Sequence, residues 1–498
     1  MTIPPTRNST PPERCPAAIR RWPGVHSLLL ALLAVGLARA APEKRPNFVF
    51  ILLDNIGQEW FRSYGSEENV TPNFDRLARE GVRFENCYTS IVCGPSRVEL
   101  LTGRYPFRTG WYLHHDAALY GGGGFDWHRE VSVARVLRDA GYATGMSGKW
   151  QVNNLYDEPD ALQQHGFEET LVVPMSIDRD KVDDAFQARF QEAIRNNNAP
   201  YLQESTRQIE SRYWDPVLQR NGVRETHPGR FGPDVFQEFA IDFLTRHQNE
   251  PFFFYYPMPL AHGSSAAHAL TTTPENRANP PADKHAAYRD MIRYADRQIA
   301  EIFLSLDQLG LRDNTIVFVA TDNGSDGGLS ARQNGRLVHG GIYKITENGS
   351  NVAMLVNSPK LIPGGRLASL VDFTDIFPTL CDFAGIRIPT GLTIDGRSYA
   401  SFLRGHGAIP REWIFNQYDP DRVVRNERFK LWDNGNLFDL EADPGEEHPL
   451  PRDQDPVADR ARTRLQAVLN AMPPNTSPGF MHLSLSAFGK RAAAAKKQ

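Results

Sequence analysis

Cysteine is scarce in this chain, with four residues among 498. Cys15 lies close to the N-terminus, which leaves Cys87, Cys93 and Cys381 in the body of the sequence. Three cysteines form at most one disulfide, so the sequence excludes a disulfide-stapled scaffold, and the absence of a Cys-x-x-Cys pair argues against zinc. At least one thiol is therefore left over.

Net charge is also small. Lys and Arg number 55 and Asp and Glu 59, which gives a formal net charge of −4. Bulk attraction to a polyanion needs a strongly basic surface, so we expect no nucleic-acid partner.

Long apolar runs are missing as well. The run LLLALLAVGL, residues 28–37, is far shorter than the ~20 residues of a membrane span. Arg20 and Arg21 precede it and Ala38-Arg39-Ala40 follows it, which is the pattern of a cleavable signal peptide. The sequence predicts a signal peptide at 1–41, an exported protein that is periplasmic or secreted, and no membrane partner.

What the chain does contain is an alternation of strands and helices. NFVFILL (47–53) and TIVFVA (315–320) are uninterrupted apolar runs, typical of strands buried on both faces. Amphipathic segments that end at glycine lie between them, so we predict an α/β fold with a large, mostly parallel sheet flanked by helices. Shorter elements after about 386 predict a small C-terminal α+β subdomain with an antiparallel sheet. The expected domains are a main domain at 42–385, the subdomain at 386–475 and a disordered tail at 476–498.

Both apolar strands are followed by the same dipeptide, Asp54-Asn55 in one case and Asp322-Asn323 in the other. Ligands of open α/β sheets bind outside the carboxyl ends of the strands. Carboxylate and amide oxygens suit Ca²⁺ or Mg²⁺, so the two pairs predict a metal site. The alternative is that Asp and Asn end the strands by turn chemistry.

Cys93 stands at the start of a predicted helix, in the stretch Cys93-Gly94-Pro95-Ser96-Arg97. A helix N-terminus favours anions, and Arg97 one turn later offers a fork for a tetrahedral oxyanion. Cys93 is thus placed where an anionic substrate would arrive. The alternative is a buried apolar filler, the commonest role of a free cysteine.

This stretch, followed by Leu101-Thr102-Gly103-Arg104, resembles the signature of the sulfatase family. Further family segments follow the same order along the chain and extend the resemblance over about 45–450. They are RPNFVFILLDN, SGKW at 147–150, FFFYYP before His262, TDNG at 321, DIFPTLCDFAGI at 375, and the C-terminal RNERFKLWD and LFDLEADPGEE. The resemblance implies an alkaline-phosphatase-like α/β sandwich that hydrolyses sulfate esters.

In that family, a maturation enzyme oxidises the signature cysteine to Cα-formylglycine, whose hydrate attacks the sulfur atom. The resemblance therefore implies a formylglycine made from Cys93, a formylglycine-generating enzyme as partner, and one Ca²⁺ ion. It implies that Arg97 and Lys149 stabilise the hydrate, and that His262 holds the sulfate and protonates the leaving oxygen. The metal ligands carried over are Asp54, Asn55, Cys93, Asp322 and Asn323. Family habit and export together imply a sulfated polysaccharide or oligosaccharide as substrate.

The chain departs from the family pattern at three places. Asn55 replaces a second aspartate, and Gln151 replaces a histidine that helps to deprotonate the hydrate. The sulfate-binding lysine falls at Ile342, so either Lys344, two residues on, or His339 takes its place. His114 and His115 either line a substrate subsite, to which we also assign Gln151, or lie in a loop.

These departures leave two alternatives to an active sulfatase. One is a degenerate sulfatase that binds sulfated glycans without turnover. The other is a phosphodiester or phosphonate monoester hydrolase on the same scaffold. The intact Cys93, Pro95, Arg97 and both aspartates favour the sulfatase over the glycan binder, and the phosphodiester hydrolase, which can also use formylglycine, stays open.

Overall fold

The computed structural model describes residues 44–112, 124–155, 158–174, 189, 212–263, 270–368 and 370–473. The predicted signal peptide, the predicted tail, and the pair His114 and His115 lie outside these residues.

Seventeen strands lie within the described ranges. Eleven of them build the main sheet: β1 Asn47–Leu53, β2 Val82–Tyr88, β3 Ala143–Lys149, β4 Glu169–Val173, β5 Val217–Arg220, β6 Val223–Thr226, β7 Phe252–Pro257, β8 Thr315–Thr321, β11 Asn351–Asn357, β12 Arg366–Ala368 and β13 Val371–Asp372. A hairpin is formed by β9 Ser330–Gln333 and β10 Arg336–His339. A separate small sheet contains β14 Ile414–Tyr418, β15 Asp421–Arg425, β16 Phe429–Trp432 and β17 Leu437–Asp439.

The helices of the same residues are α1 Pro72–Glu80, α2 Cys93–Thr102, α3 Pro106–Thr109, α4 Val133–Asp139, α5 Ala161–Gln164, α6 Gly232–Arg246, α7 Lys284–Gln308, α8 Glu347–Ser350, α9 Ile376–Ala384, α10 Ala400–Leu403 and α11 Pro456–Ala471. Short 3₁₀ turns occur at Gln58–Trp60, Arg62–Tyr64, Pro274–Asn276, Arg312–Asn314 and Phe373–Asp375. None of the described helices combines the length and the apolar character needed to cross a membrane.

The centre of the main sheet is parallel, in the order β8-β1-β7-β3-β4. Antiparallel strands flank it, with β11 on one side and β5 and β6 on the other. Every residue of β1 and β8 is buried, as their uninterrupted apolar runs predict. The predicted mixed, mostly parallel sheet is therefore confirmed.

Two apolar cores cover the two faces of this sheet. Alternate residues of β1 point to opposite sides, so Phe48 and Phe50 join α2, α4 and α9 in one core. Val49 and Ile51 join α1, α6 and α7 in the other. The result is the predicted sandwich of helices around a sheet.

The small sheet is antiparallel throughout, in the order β14-β15-β16-β17. Its apolar face packs against α11 and against Tyr105 and Phe107 around the start of α3. The predicted antiparallel C-terminal sheet is confirmed, whereas the exact domain boundary near 386 stays a prediction.

Candidate active site

The two Asp-Asn pairs lie side by side because β1 and β8 are parallel and end in register. Leu53 pairs with Thr321, so Asp54 and Asp322 follow at the same level. The backbone N–H of Asp322 donates to the oxygen of Leu53 (3.0 Å), and the N–H of Asn55 donates to Oδ1 of Asp322 (3.0 Å). Both carboxylates are fully buried.

The two asparagines also meet. Nδ2 of Asn323 donates to Oδ1 of Asn55 (2.7 Å), and the Tyr288 hydroxyl donates to the backbone oxygen of Asn55. Asn55 has a φ of 59°, a left-handed conformation that asparagine adopts more readily than most residues. This turn directs the Asn55 amide toward the neighbouring strand end.

Cys93 is the first residue of α2 and is 3% exposed. The loop before it is tied to the helix, because Ser96 Oγ donates to the oxygens of Ser90 (3.0 Å) and Val92 (2.9 Å). Ser90 N–H in turn donates to Oε2 of Glu99 (3.0 Å). These contacts hold the Cys93 side chain at the helix N-terminus, as the sequence predicts.

Arg97 connects three strand ends. Its Nη2 lies 3.0 Å from Oδ2 of Asp54 and 3.0 Å from Oδ2 of Asp322, and its Nη1 donates to the oxygen of Lys149 (2.7 Å). Lys149 Nζ lies 2.6 Å from Oδ2 of Asp54. Two cations and two carboxylates thus share a buried floor below Cys93.

This floor shifts the pKa values of its members. Burial raises the pKa of Asp54, but the charges of Lys149 and Arg97 outweigh it and hold that pKa below its usual range. Burial and the neighbouring charge of Asp54 raise the pKa of Asp322. Burial also raises the pKa of the Cys93 thiol, against the opposing charge of Lys149. The thiol is therefore protonated near neutral pH and is a poor nucleophile as it stands.

The same floor has the composition of a site for a hard cation. Sγ of Cys93 and one carboxylate oxygen each from Asp54 and Asp322 lie within 4.8 Å of one another. Oδ1 of Asp54 and Oδ1 of Asn323 are buried without a hydrogen-bond partner in the described structure. Buried oxygens are normally satisfied, so these two fit a divalent cation that prefers oxygen ligands.

His262 reaches the floor from the segment after β7. That segment is joined to Asp54, whose N–H donates to the oxygen of Leu260 (2.9 Å) and whose oxygen accepts from Ala261 N–H (2.9 Å). His262 Nδ1 lies 2.6 Å from the oxygen of Gly263, which places a proton on that nitrogen. Burial and the charge of Lys149 hold the pKa of His262 well below its usual range, so the ring is neutral at pH 7.

Two further residues lie beside His262 and were not predicted from the sequence. Arg212 Nη1 lies 3.5 Å from Nδ1 of His262, and the Tyr213 hydroxyl lies between the oxygens of Pro259 (2.7 Å) and His262 (2.5 Å). They follow a polar, irregular stretch that carries no motif, so no local signal marks them.

The remaining predicted residues lie around this floor. Gln151 is buried directly after Trp150, with a φ of 68° and an Oε1 that lacks a hydrogen-bond partner among the described residues. Lys344 and His339 are exposed, and Ile342 is buried. Ile345, beside Lys344, packs in the same small apolar cluster as Cys93. The structure thus brings Lys344 to the border of the site and leaves it outside the buried floor.

Comparison with known proteins gives the same family over most of the chain. The family model described as Sulfatase matches residues 46–386. Arylsulfatase A of Bos taurus is 30% identical over 487 aligned residues, covering 88% of this chain and 89% of the relative. N-acetylgalactosamine-6-O-sulfatase of Bacteroides thetaiotaomicron is 26% identical, covering 85% and 93%.

Among solved structures, Ps i-CgsB in complex with k-i-k-neocarrahexaose aligns with a TM-score of 0.66 at 22% identity, covering 88% of this chain and 94% of that one. Likeness at that identity concerns the fold, and it confirms the alkaline-phosphatase-like architecture. With the family model spanning the main sheet and the signature at Cys93, the chain belongs to the sulfatase family of sulfuric ester hydrolases.

Proposed function

We propose that the protein is an exported sulfatase that removes sulfate from sulfated polysaccharides or oligosaccharides, with a formylglycine made from Cys93 and a Ca²⁺ ion. The observation that carries this proposal is the buried floor of Asp54, Asp322, Arg97 and Lys149 directly below Cys93. This floor combines a cation site with two positive side chains, which is what an anionic substrate and a charged nucleophile require.

The residues that would hold the cation are Asp54, Asn55, Asp322, Asn323 and the side chain at position 93. When bound, Ca²⁺ supplies Lewis-acid polarisation of the sulfate oxygens. Arg97 keeps both carboxylates in place through its contacts at 3.0 Å. Lys149 adds a positive charge that stabilises negative charge developing at position 93.

Cys93 itself supports conversion rather than direct attack. A thiol whose pKa is raised by burial stays protonated, so it is a weak nucleophile at neutral pH. When installed, the formylglycine supplies an oxygen nucleophile as its hydrate, and a formylglycine-generating enzyme is the partner that this step requires.

His262 is suited to meet the sulfate group. Its ring is neutral in the free protein, and an approaching anion favours the protonated form. The charged ring then hydrogen-bonds a sulfate oxygen and can give its proton to the leaving oxygen. Contact of its segment with the Asp54 backbone fixes its position relative to the floor.

Sulfated carbohydrate is the substrate class that the relatives favour. One relative is named for N-acetylgalactosamine-6-O-sulfate, and one structural neighbour was solved with neocarrahexaose. The signal-peptide pattern at 1–41 supports export, which brings the enzyme to extracellular or periplasmic polysaccharide. Lys344 and Gln151 are the described residues that we propose contact this substrate.

A glycan-binding protein without turnover is the second candidate. The observation in its favour is Gln151, which stands at the family's histidine position and cannot take a proton. Its buried Oε1 still accepts hydrogen bonds, so binding would survive the exchange.

Peptide mass spectrometry of the exported protein separates these functions. A loss of roughly 18 Da at the Cys93 peptide marks the change from thiol to aldehyde. The same batch is assayed with sulfated sugars and with a phosphodiester, and the variant Cys93→Ser from the same host is the control. Aldehyde with desulfation supports the proposal, and aldehyde with binding alone supports the glycan binder. Faster cleavage of the phosphodiester than of the sulfate esters supports a phosphodiester hydrolase on the same scaffold. An unmodified thiol in a host that matures other sulfatases overturns the catalytic proposal.

A further inference from the structure

The loop 340–346, between β10 and α8, touches both halves of the site. Ile342 N–H donates to the oxygen of Ser325 (3.0 Å), two residues after Asn323. Tyr343 N–H donates to the oxygen of Ile91 (3.2 Å), two residues before Cys93. The loop therefore borders the cation ligands on one side and the nucleophile position on the other.

The C-terminal sheet holds the far end of this loop. Lys430 Nζ donates to the oxygen of Ile345 (2.7 Å) and lies 2.9 Å from Oε1 of Glu446. Glu446 Oε1 also accepts from the N–H of Glu347 (2.8 Å). With anchors at Ile342, Tyr343 and Ile345, the loop has a defined position.

Tyr343 is the unusual residue of this loop. Its φ of 67° lies in the left-handed region, which is unfavourable for a bulky side chain, and the residue is 51% exposed. A glycine would adopt this backbone without strain, so the chain carries an aromatic side chain at a position where glycine is more favourable. Strain retained at an exposed aromatic residue beside a catalytic site points to function.

The chemistry around Tyr343 suits a sulfated sugar. Lys344 follows it and is exposed, which supplies a positive charge for a sulfate or carboxylate group. Tyr418 and Trp432 are partly buried and pack against the apolar cluster that contains Cys93 and Ile345. An aromatic side chain offers a flat apolar face together with a polar edge, which matches a sugar ring.

We propose that Tyr343 forms a carbohydrate subsite in which its ring contacts a sugar of the substrate next to the sulfated residue. This inference rests on the proposed function. It adds a named specificity residue and predicts that an oligosaccharide binds better than a single small sulfate ester.

The test uses the variant Tyr343→Gly, which removes the ring and also relieves the strained backbone. Binding of neocarrahexaose is measured by isothermal titration calorimetry on protein that keeps the Cys93 thiol, so that no turnover occurs. We expect affinity to fall by about fivefold to tenfold while the melting temperature stays at or above that of the wild type. Tyr343→Phe, which keeps the ring, stays within about twofold of the wild type.

Leu337→Ala is the matched control, because Leu337 is 55% exposed on the neighbouring strand β10. It leaves both affinity and stability unchanged. On matured enzyme, Tyr343→Gly lowers kcat/KM for the hexasaccharide more than it lowers kcat/KM for 4-nitrophenyl sulfate.

The outcomes distinguish this inference from the proposed function. Equal affinity of wild type and Tyr343→Gly overturns the subsite and leaves the sulfatase untouched. Binding that depends on Tyr343 in a protein that never desulfates supports the subsite and overturns the sulfatase. No binding of the hexasaccharide, or of a sulfated N-acetylgalactosamine oligosaccharide, by the wild type overturns the subsite.

Discussion

The side-chain nitrogen of Asn323 donates a 2.7 Å hydrogen bond to the side-chain oxygen of Asn55. This contact joins the ends of two parallel strands and turns the side-chain oxygen of Asn323 away from Asn55. That oxygen is buried and has no hydrogen-bond partner among the described residues. Around it, Asp54 and Asp322 face Arg97 and Lys149, so the floor already holds equal numbers of positive and negative groups. An amide at position 55 therefore avoids a third buried negative charge but weakens the attraction for a cation.

Replacing Asn55 with aspartate reverses that balance. An aspartate accepts the same hydrogen bond from Asn323 and adds a charge, so we expect Asn55→Asp to bind Ca²⁺ about tenfold more tightly or better. Without Ca²⁺ the variant melts at a lower temperature than the wild type, because a buried carboxylate is then uncompensated. Calcium titration calorimetry and melting curves with and without the ion check both effects.

The control for that experiment is Asn334→Asp. Asn334 is exposed in the β9–β10 turn, and its φ of 50° is also left-handed, so the backbone and the added charge are matched. We expect it to change neither calcium affinity nor stability. Weaker calcium binding by Asn55→Asp would contradict the proposed ligand role.

Arg97 contacts both buried carboxylates, so shortening its reach should be costly. Arg97→Lys keeps one charge but cannot contact Asp54, Asp322 and the Lys149 oxygen together. We expect a loss of about 3 kcal/mol in the free energy of unfolding, measured with denaturant, and partial recovery when Ca²⁺ is added. At the exposed ion pair of Arg246 with Glu169, the same exchange costs about 0–1 kcal/mol. Equal losses at the two sites would show that Arg97 is not essential to the floor.

The centre of the fold was predictable because it depends on local pattern. Uninterrupted apolar runs marked β1 and β8 as buried strands, and the Asp-Asn dipeptides stood at their ends. Parallel pairing in register then brings the two pairs together, which is a general property of such sheets. Lys149 and His262 were not predictable from local pattern, because only the family resemblance identified them as site residues.

Contacts between distant segments that no strand end or motif marks were not predictable. Lys430, Glu446 and Glu347 meet near the loop 340–346, but each looks like an ordinary surface charge in the sequence. Arg212 near His262 follows a stretch without any motif. Such clusters depend on tertiary packing of the small sheet and of the segment before β5, and no periodicity or spacing encodes them.

A buried histidine should make stability depend on pH. His165 Nε2 donates to the oxygen of Phe125 (2.9 Å), and burial lowers the pKa of its ring to about 3. The unfolded chain takes up a proton near pH 6.5 whereas the native ring stays neutral, so stability is complete above pH 6.5 and is lost as the pH falls toward 3.

The variant His165→Gln isolates this effect because its side-chain nitrogen still donates to Phe125. When the pH is lowered from 7.5 to 5.5, we expect the free energy of unfolding of the wild type to fall by about 1.4 kcal/mol relative to that of the variant. Denaturant unfolding at both pH values measures it. A difference that does not change with pH would show that the pKa of the native ring equals that of the unfolded chain, and that burial does not lower it.

Gln151 stands where the sulfatase family has a histidine that acts as a base, so restoring that histidine tests whether the base limits catalysis. Histidine tolerates the left-handed φ of 68° at this position, so Gln151→His should fold normally. An imidazole there takes the proton that glutamine cannot, and we expect kcat for sulfate-ester hydrolysis to rise by about 10²-fold, with a new limb in its pH profile. Gln151→Asn suits the same backbone without adding a base and should give no rise. An unchanged kcat in Gln151→His would show that another group already performs this step.

The ion cluster beside the loop 340–346 should behave as a unit. Lys430 Nζ lies 2.9 Å from Glu446 and 3.2 Å from Glu347, and the side chains of Lys430 and Glu446 are each 1% exposed. Lys430→Met leaves two buried carboxylates with less compensation, so we expect a loss of about 3–5 kcal/mol in the free energy of unfolding.

A double-mutant cycle with Glu446→Gln measures the coupling in this cluster. Removing both charges should cost about 1–3 kcal/mol less than the sum of the single losses, because the second substitution removes the carboxylate that the first left unpaired. The pair Lys360 and Asp313 is the control, since its side chains are 70% and 51% exposed and solvent screens their contact, so its coupling should lie near zero. Additive losses at Lys430 and Glu446 would mean that the two charges act separately, and that Lys430 holds the loop through the Ile345 oxygen alone.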